Sequence, residues 1–380
     1  MISTIDAYNA HYERLEQKVE QELAAMDSNP ALLTEYTVTT LNRHRLLPDL
    51  AVDDLTFFRN YLFNKYANVQ LDPLLTESFL EENLRLEGDT TFLTTKQPAL
   101  FCSFHFGTSV PTAMLLHKLG YDPHVPNITG NELAVKSARH LGEMLIAESM
   151  DNVVVGQQAN PVRKSQQILI EMFLLLQQQK SMLVYLDANV GLSEVNDRKA
   201  TVQFLNHPYF SQKGVSVLSY LSKLPIIPVL CYRTGPLQLT MQFGEPIRPD
   251  GVTNRETYIV ESLQRCYTFL EGHIHRFPTQ WKSWYLIHKH IGPGRTAGQS
   301  PALEKDSYHF NAERYLICPA STKSLLMDRQ QYGYVPISAT LGRYLSAMRS
   351  RVFLPAQLEK QIPGALLHDL LAREVLLKTV

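Results

Sequence analysis

Charge of one sign is what this chain lacks most plainly. Its 36 Lys and Arg nearly cancel its 37 Asp and Glu over 380 residues, so no global field recruits nucleic acid or an anionic membrane. Long apolar runs are missing as well. None approaches the ~18 to 20 residues of a spanning helix, and "MISTIDAYNAHYERLEQ" carries no basic-then-apolar leader pattern. Cysteine is scarce: Cys102, Cys231, Cys266 and Cys318 are scattered with no C-x-x-C pair, which argues against a zinc site and suits a reducing compartment. These absences lead us to expect a soluble, cytoplasmic protein with no transmembrane segment, no nucleic-acid partner and no bound metal.

What is present is ordinary globular material, 44% hydrophobic and 19% charged. Ile5, Tyr8, Tyr12, Leu15, Val19 and Leu23 recur at helical spacing, with an acidic opposite face that favours packing on protein over a lipid surface. Apolar β-runs then alternate with helical patterns. "ALFCSF", "SMLVYLD" and "PIIPVLCYR" read as buried strands, "VPTAMLLHKLGYD", "SQQILIEMFLLLQQQ" and "KGVSVLSYLSKL" as helices. "NELAVKSARHLGEMLIAES" also reads as helical, "DNVVVGQQ" as a short strand and Arg255–His275 as a closing helix. This alternation predicts an α/β fold, a mostly parallel central sheet flanked by helices. "GPGRTAGQSPALEKDS" is rich in Gly, Pro and Ser and reads as a linker. The expected organisation is residues 1–292 as the large domain with an N-terminal helical segment, 293–307 as linker, and 308–380 as a small α+β domain of winged-helix type.

Ligands of parallel sheets gather at the carboxyl ends of the strands. His105 follows the first buried strand in "ALFCSFHFGTSV"; Asp187 and Asn189 follow another in "LVYLDANVG". An imidazole there is suited to take a proton from a hydroxyl or amine near neutral pH. Position alone also suits a histidine satisfied by backbone at a strand end, and an aspartate that caps a turn. Ser109 and Cys102 near His105 suggest a nucleophile–base pair, but no G-x-S-x-G elbow is present. The close histidines of "HIHRF" and "HKH" point apart on a helix, and "GPGRTAG" follows no strand into a helix.

The order of these segments resembles the lysophospholipid acyltransferase superfamily, in particular its branch of lipid A late acyltransferases. "SFHFGTSV" is similar to that branch's H-F-x-x-x-acid element, "YLDANVG" to its Asp turn, and "VQFLNHPYFSQKGVSVLSYLSKLPIIPVLCYR" to its F-x-G-x-P-like element, Gly-led helix and apolar strand. "WKSWYLIHKHI" resembles its aromatic closing segment through Trp284 and His288. The resemblance covers roughly residues 30–292. It implies acyl transfer from an acyl-carrier-protein or coenzyme A thioester, a donor substrate rather than a bound cofactor, to a hydroxyl or amine of a small molecule or peptide. It gives His105 the role of general base, with Asp187 beside it, and Arg163, Asn189, Lys213, Gly214 and Ser109 the substrate side, Arg163 and backbone donors at the oxyanion.

The chain departs from the family at Val110, which stands where the orienting acid is expected. In serine proteases the loss of such an acid costs about 10⁴-fold. Either another carboxylate, Asp187 or Glu132, takes that role, or the chain is a catalytically impaired pseudo-acyltransferase that binds an acyl carrier or peptide. The domain after 307 has no counterpart in the lipid A enzymes and is faintly similar to peptide-binding winged-helix domains of natural-product pathways, which suggests secondary metabolism.

Overall fold

The structure, a computed structural model, describes residues 4–108, 110–121, 123–129, 132–137, 161–187, 199–287, 290–291, 307–319, 323–329 and 333–379. The chain divides into two compact units: Met1–Pro30 with Val52–Ile291, and Ala31–Ala51 with Gly292–Val380. The segment 31–51, assigned to the large domain from sequence, groups with the second unit.

In the first unit, β1 (Leu84–Gly88), β2 (Leu100–Ser103), β3 (His124–Thr129), β4 (Glu132–Ser137) and β5 (Met182–Tyr185) join β8 (Ile226–Gly235) and β9 (Gln238–Phe243). The order across the sheet is β1-β9-β8-β2-β5-β3-β4. The four middle strands β8, β2, β5 and β3 run parallel, while β9 and β4 lie antiparallel to their inner neighbours. The described residues thus form a mixed α/β unit on a mostly parallel central sheet. Every residue of β2 is buried, as are the first eight of β8. Apolar residues on both faces of a strand are what a sheet covered by helices on both sides demands.

The helices follow local signals. Asp53 caps Asp54–Gln70 by accepting from the Thr56 N–H (2.9 Å), and Asn254 caps Arg255–Arg276 through the Glu256 and Thr257 amides (3.0 and 3.1 Å). The long amphipathic helix expected near the start is Thr4–Ala24, with Tyr8, Leu15 and Val19 buried.

Two stretches differ from the sequence reading. "ELAVKS", expected to be helical, is β4, paired with β3 from Thr129↔Glu132 to His124↔Ser137. Its Ala, Glu and Lys favour helix, but an available sheet edge outweighs so weak a preference. Lys199–Phe204 and His207–Gln212 form an antiparallel hairpin, β6–β7, turning on Leu205 and Asn206, both at positive φ (49° and 61°). No Gly marks that turn, so its composition did not announce it. The expected strand "DNVVVGQQ" lies outside the described residues.

In the second unit β11 (Tyr315–Pro319), β12 (Lys323–Asp328) and β13 (Gly333–Ser338) form an antiparallel sheet, and β10 (Tyr308–Phe310) pairs with β14 (Leu376–Lys378). Helices Ala339–Ala347, Pro355–Gln361 and Gly364–Ala372 pack Leu345, Leu358, Leu367 and Leu370 into one core with Tyr315 and Leu326. The unit is α+β. Arg314 ties its strands together by pairing with Asp328 (2.9 Å) and Glu374 (2.6 Å).

Candidate active site

The register of two neighbouring strands builds the site. In the parallel pair β2–β5, Ser103 stands opposite Tyr185, and the Leu186 amide donates to the Ser103 carbonyl (2.9 Å). Two residues beyond each strand, His105 and Asp187 therefore emerge side by side. Asp187 Oδ1 accepts from the His105 backbone N–H (2.9 Å) and from His105 Nδ1 (2.8 Å). A carboxylate only accepts, so Nδ1 carries the proton and Nε2 presents its lone pair.

Asp187 is held at its other oxygen too. Oδ2 accepts from Trp281 Nε1 (2.9 Å) and from Ser283 Oγ (2.7 Å). The Asp187 side chain is fully buried, whereas 37% of the His105 side chain is exposed. The acid is thus sealed inside and the base is left accessible. Burial pushes the Asp187 carboxyl up, but the His105 imidazole and the hydrogen bonds from His105 and Ser283 overcome this and hold it at about 2. It is an anion at every physiological pH. The Tyr185 ring lies tilted against the imidazole, centroids 5.1 Å apart.

The backbone around His105 is fixed from several directions. The Phe106 amide donates to the Phe104 carbonyl (2.7 Å), Gly107 to Gln280 (2.9 Å) and Thr108 to Cys231 (2.7 Å), while the His105 carbonyl accepts from the Lys282 amide (2.8 Å). Gly107 has φ +59°, and a Cβ there would stand 2.3 Å from the Cys231 carbonyl oxygen. Only glycine fits. Because the amides of residues 105–108 are all committed, none of them remains to receive an oxyanion.

No family model matches the chain, and no curated protein matches it.

The other residues singled out from sequence divide as follows. Val110, in the acid's expected place, begins the helix Val110–Lys118, and Asp187 provides the carboxylate at His105 instead. Ser109, Asn189 and His288 lie outside the described residues. So do the side chains of Arg163, in the helix Pro161–Gln177, and Glu132 on β4. Lys213 spends its ammonium on Glu256 (3.0 Å), and Gly214 opens the helix Gly214–Ser222; among the described residues neither hydrogen-bonds to the His–Asp pair. Trp284 is buried with its indole on the Pro278 carbonyl (2.7 Å), a packing role.

Sequence reasoning missed Trp281 and Ser283, which clamp Asp187. The signal was present in "WKSWY", where the first Trp and not the second faces the acid. Cys102, buried inside β2 as a free thiol, has its pKa pushed well above the ordinary value by burial and is no nucleophile. Among the described residues no group of three or more His, Cys, Asp and Glu is placed to hold a metal ion, and no helix is long and apolar enough to cross a membrane.

Proposed function

We propose that the chain is an acyltransferase in which His105 is the general base and Asp187 its orienting acid. The observation that carries the reading is the Asp187 carboxylate fixed on His105 Nδ1 at 2.8 Å while 37% of the His105 side chain stays exposed. Nε2 takes the proton of an acceptor hydroxyl or amine as that atom attacks the thioester carbonyl of an acyl carrier protein or coenzyme A donor. The carbon–sulfur bond then breaks, the acyl group stays on the acceptor, and the imidazolium returns its proton to the departing thiolate. Asp187 stabilises the imidazolium in between without itself taking a proton, as expected for a group held at about 2. Oxyanion stabilisation falls to donors other than the committed amides of residues 105–108; Arg163 is the family-based candidate. A small molecule or a peptide is the acceptor class, in keeping with a chain that shows no spanning helix among its described residues.

The test is mass spectrometry of purified protein with acyl-carrier and acyl-coenzyme A donors over a panel of hydroxyl and amine acceptors. His105→Ala should abolish transfer and, because it takes the ring donor from the buried Asp187 carboxylate, should also lower the thermal midpoint by roughly several degrees while the chain still folds. Transfer by that variant at the wild-type rate would overturn the assignment of the base. Donor binding without acyl loss from any donor would instead make the chain a pseudo-acyltransferase.

A further inference from the structure

A second buried charge cluster lies three residues along from the base, and the proposed chemistry leaves it unused. Thr108 Oγ1 donates to Asp72 Oδ2 (2.7 Å), and Arg233, at the carboxyl end of β8, donates from one terminal nitrogen to Asp72 Oδ1. Both charged side chains are out of solvent: 6% of the Arg233 side chain is exposed and none of Asp72. The Gln280 side chain locks the Arg233 backbone from both sides, Oε1 accepting its N–H (3.0 Å) and Nε2 donating to its carbonyl (2.7 Å).

The arrangement is incomplete. Arg233 Nε and Nη1 are buried without a well-aligned acceptor among the described residues, the Tyr8 hydroxyl being the group that approaches the guanidinium. A guanidinium has five N–H donors, and leaving buried ones unmet forfeits hydrogen bonds that water would otherwise supply. Proteins rarely bury donors in this state without a reason. Arg233 lines a cavity of about 270 Å³ whose other walls include Tyr12, Asn60, Asn64 and Thr279, all groups that hydrogen-bond. The guanidinium's charge acts on the Tyr12 phenol, another wall of the same cavity. Lys282 adds a second cation within the field of Asp72, so one carboxylate faces two positive groups. Asp187, the other carboxylate that acts on Lys282, is already engaged by its four donors.

We propose that this cavity is a binding site for an oxyanion, the carboxylate or phosphate of a small molecule, held by Arg233 with the side-chain amide of Asn60. The site is separate from the acyl-transfer reading and stands whether or not His105 transfers acyl groups. An anion accepting from Nη1 or Nε completes the guanidinium's bonds, and charge-assisted bonds of this kind are the strong ones.

Calorimetric titration of the full chain with inorganic phosphate and with acetate, at constant ionic strength, tests this. Saturable binding in the ~millimolar range is expected for at least one of them. Phosphate alone, acetate alone or both would identify the group recognised, each in support. Asn60→Asp keeps the oxygen that accepts from Arg59 and puts a negative charge on the cavity wall; it should weaken binding at least about tenfold. Arg233→Met with Asp72→Asn removes both charges together, which spares the fold the cost of an unpaired buried ion, and should abolish binding. Absence of saturable binding by both anions, or affinity unchanged in Asn60→Asp and in the double variant, would overturn the proposal.

Discussion

Replacing Asp187 with Asn is the sharpest probe of the site, because the two side chains match in shape and differ only in charge and one donor. The wild-type carboxyl falls from 3.8 to about 2 in the folded chain, so its ionised form is favoured by about 2 kcal/mol through His105 and the surrounding donors. Asparagine forfeits that and adds a conflict. If its NH₂ occupies the Oδ1 position it meets the His105 backbone N–H; in the Oδ2 position it meets the Trp281 indole N–H. Either choice sets two buried donors face to face at a further ~1–3 kcal/mol. The sum, about 4 kcal/mol, fits the cost of breaking a buried pair. Activity should fall more steeply than stability. With its NH₂ at the Oδ1 position the amide donates to Nδ1 and drives the proton to Nε2, and in either orientation no anion stabilises the imidazolium; in serine proteases the same change costs about 10⁴-fold. Turnover at pH 7 and urea midpoints measured on one preparation separate the two effects. If Asp187→Asn turns over within tenfold of wild type, the acid is not orienting the base and the reasoning is wrong.

Asp187 also makes an acid-stability prediction. A folded-state value lowered from 3.8 to about 2 contributes stability that is present above pH 4 and lost as the pH falls through about 2, so the difference between wild type and Asp187→Asn in fluorescence-monitored unfolding should shrink across that window. A difference independent of pH would contradict it. Trp281→Phe keeps the aromatic bulk but removes one donor to Oδ2, so it should cost about 1 kcal/mol and move the acid limb to higher pH. Gly107→Ala forces a Cβ into the Cys231 carbonyl at positive φ and should destabilise by more than about 2 kcal/mol, read as a lower urea midpoint. An unchanged midpoint would mean the loop has room that the structure denies it.

The sheet's interior was legible because β2, β5 and β8 are uninterrupted apolar runs, a pattern that burial on both faces imposes. From those strands the positions of His105 and Asp187 at carboxyl ends followed, but their adjacency did not. It depends on β2 and β5 being neighbours with Ser103 opposite Tyr185, a register that no local residue encodes. The alternative acid, Glu132, was open for the same reason. β1 escaped notice because "LRLEG" is a mostly exposed strand at the sheet's edge whose apolar–charged alternation spans only four residues. The β6–β7 hairpin turns without glycine, and the helix Pro355–Gln361 is too short to show a period. Trp281 was passed over in favour of Trp284 because two tryptophans three residues apart look alike until a buried carboxylate chooses between them.

Tethering the segment from His105 to Thr108 to four separate parts of the chain has a consequence for how such centres are found. An imidazole anchored by its own main chain depends little on which residue lends it a negative charge, provided the lender arrives at the correct distance. Here the lender stands at the tip of the adjacent strand and not in the turn that follows the histidine. Inspecting the tips of parallel neighbours in pairs finds such a centre where counting residues onward from the histidine does not.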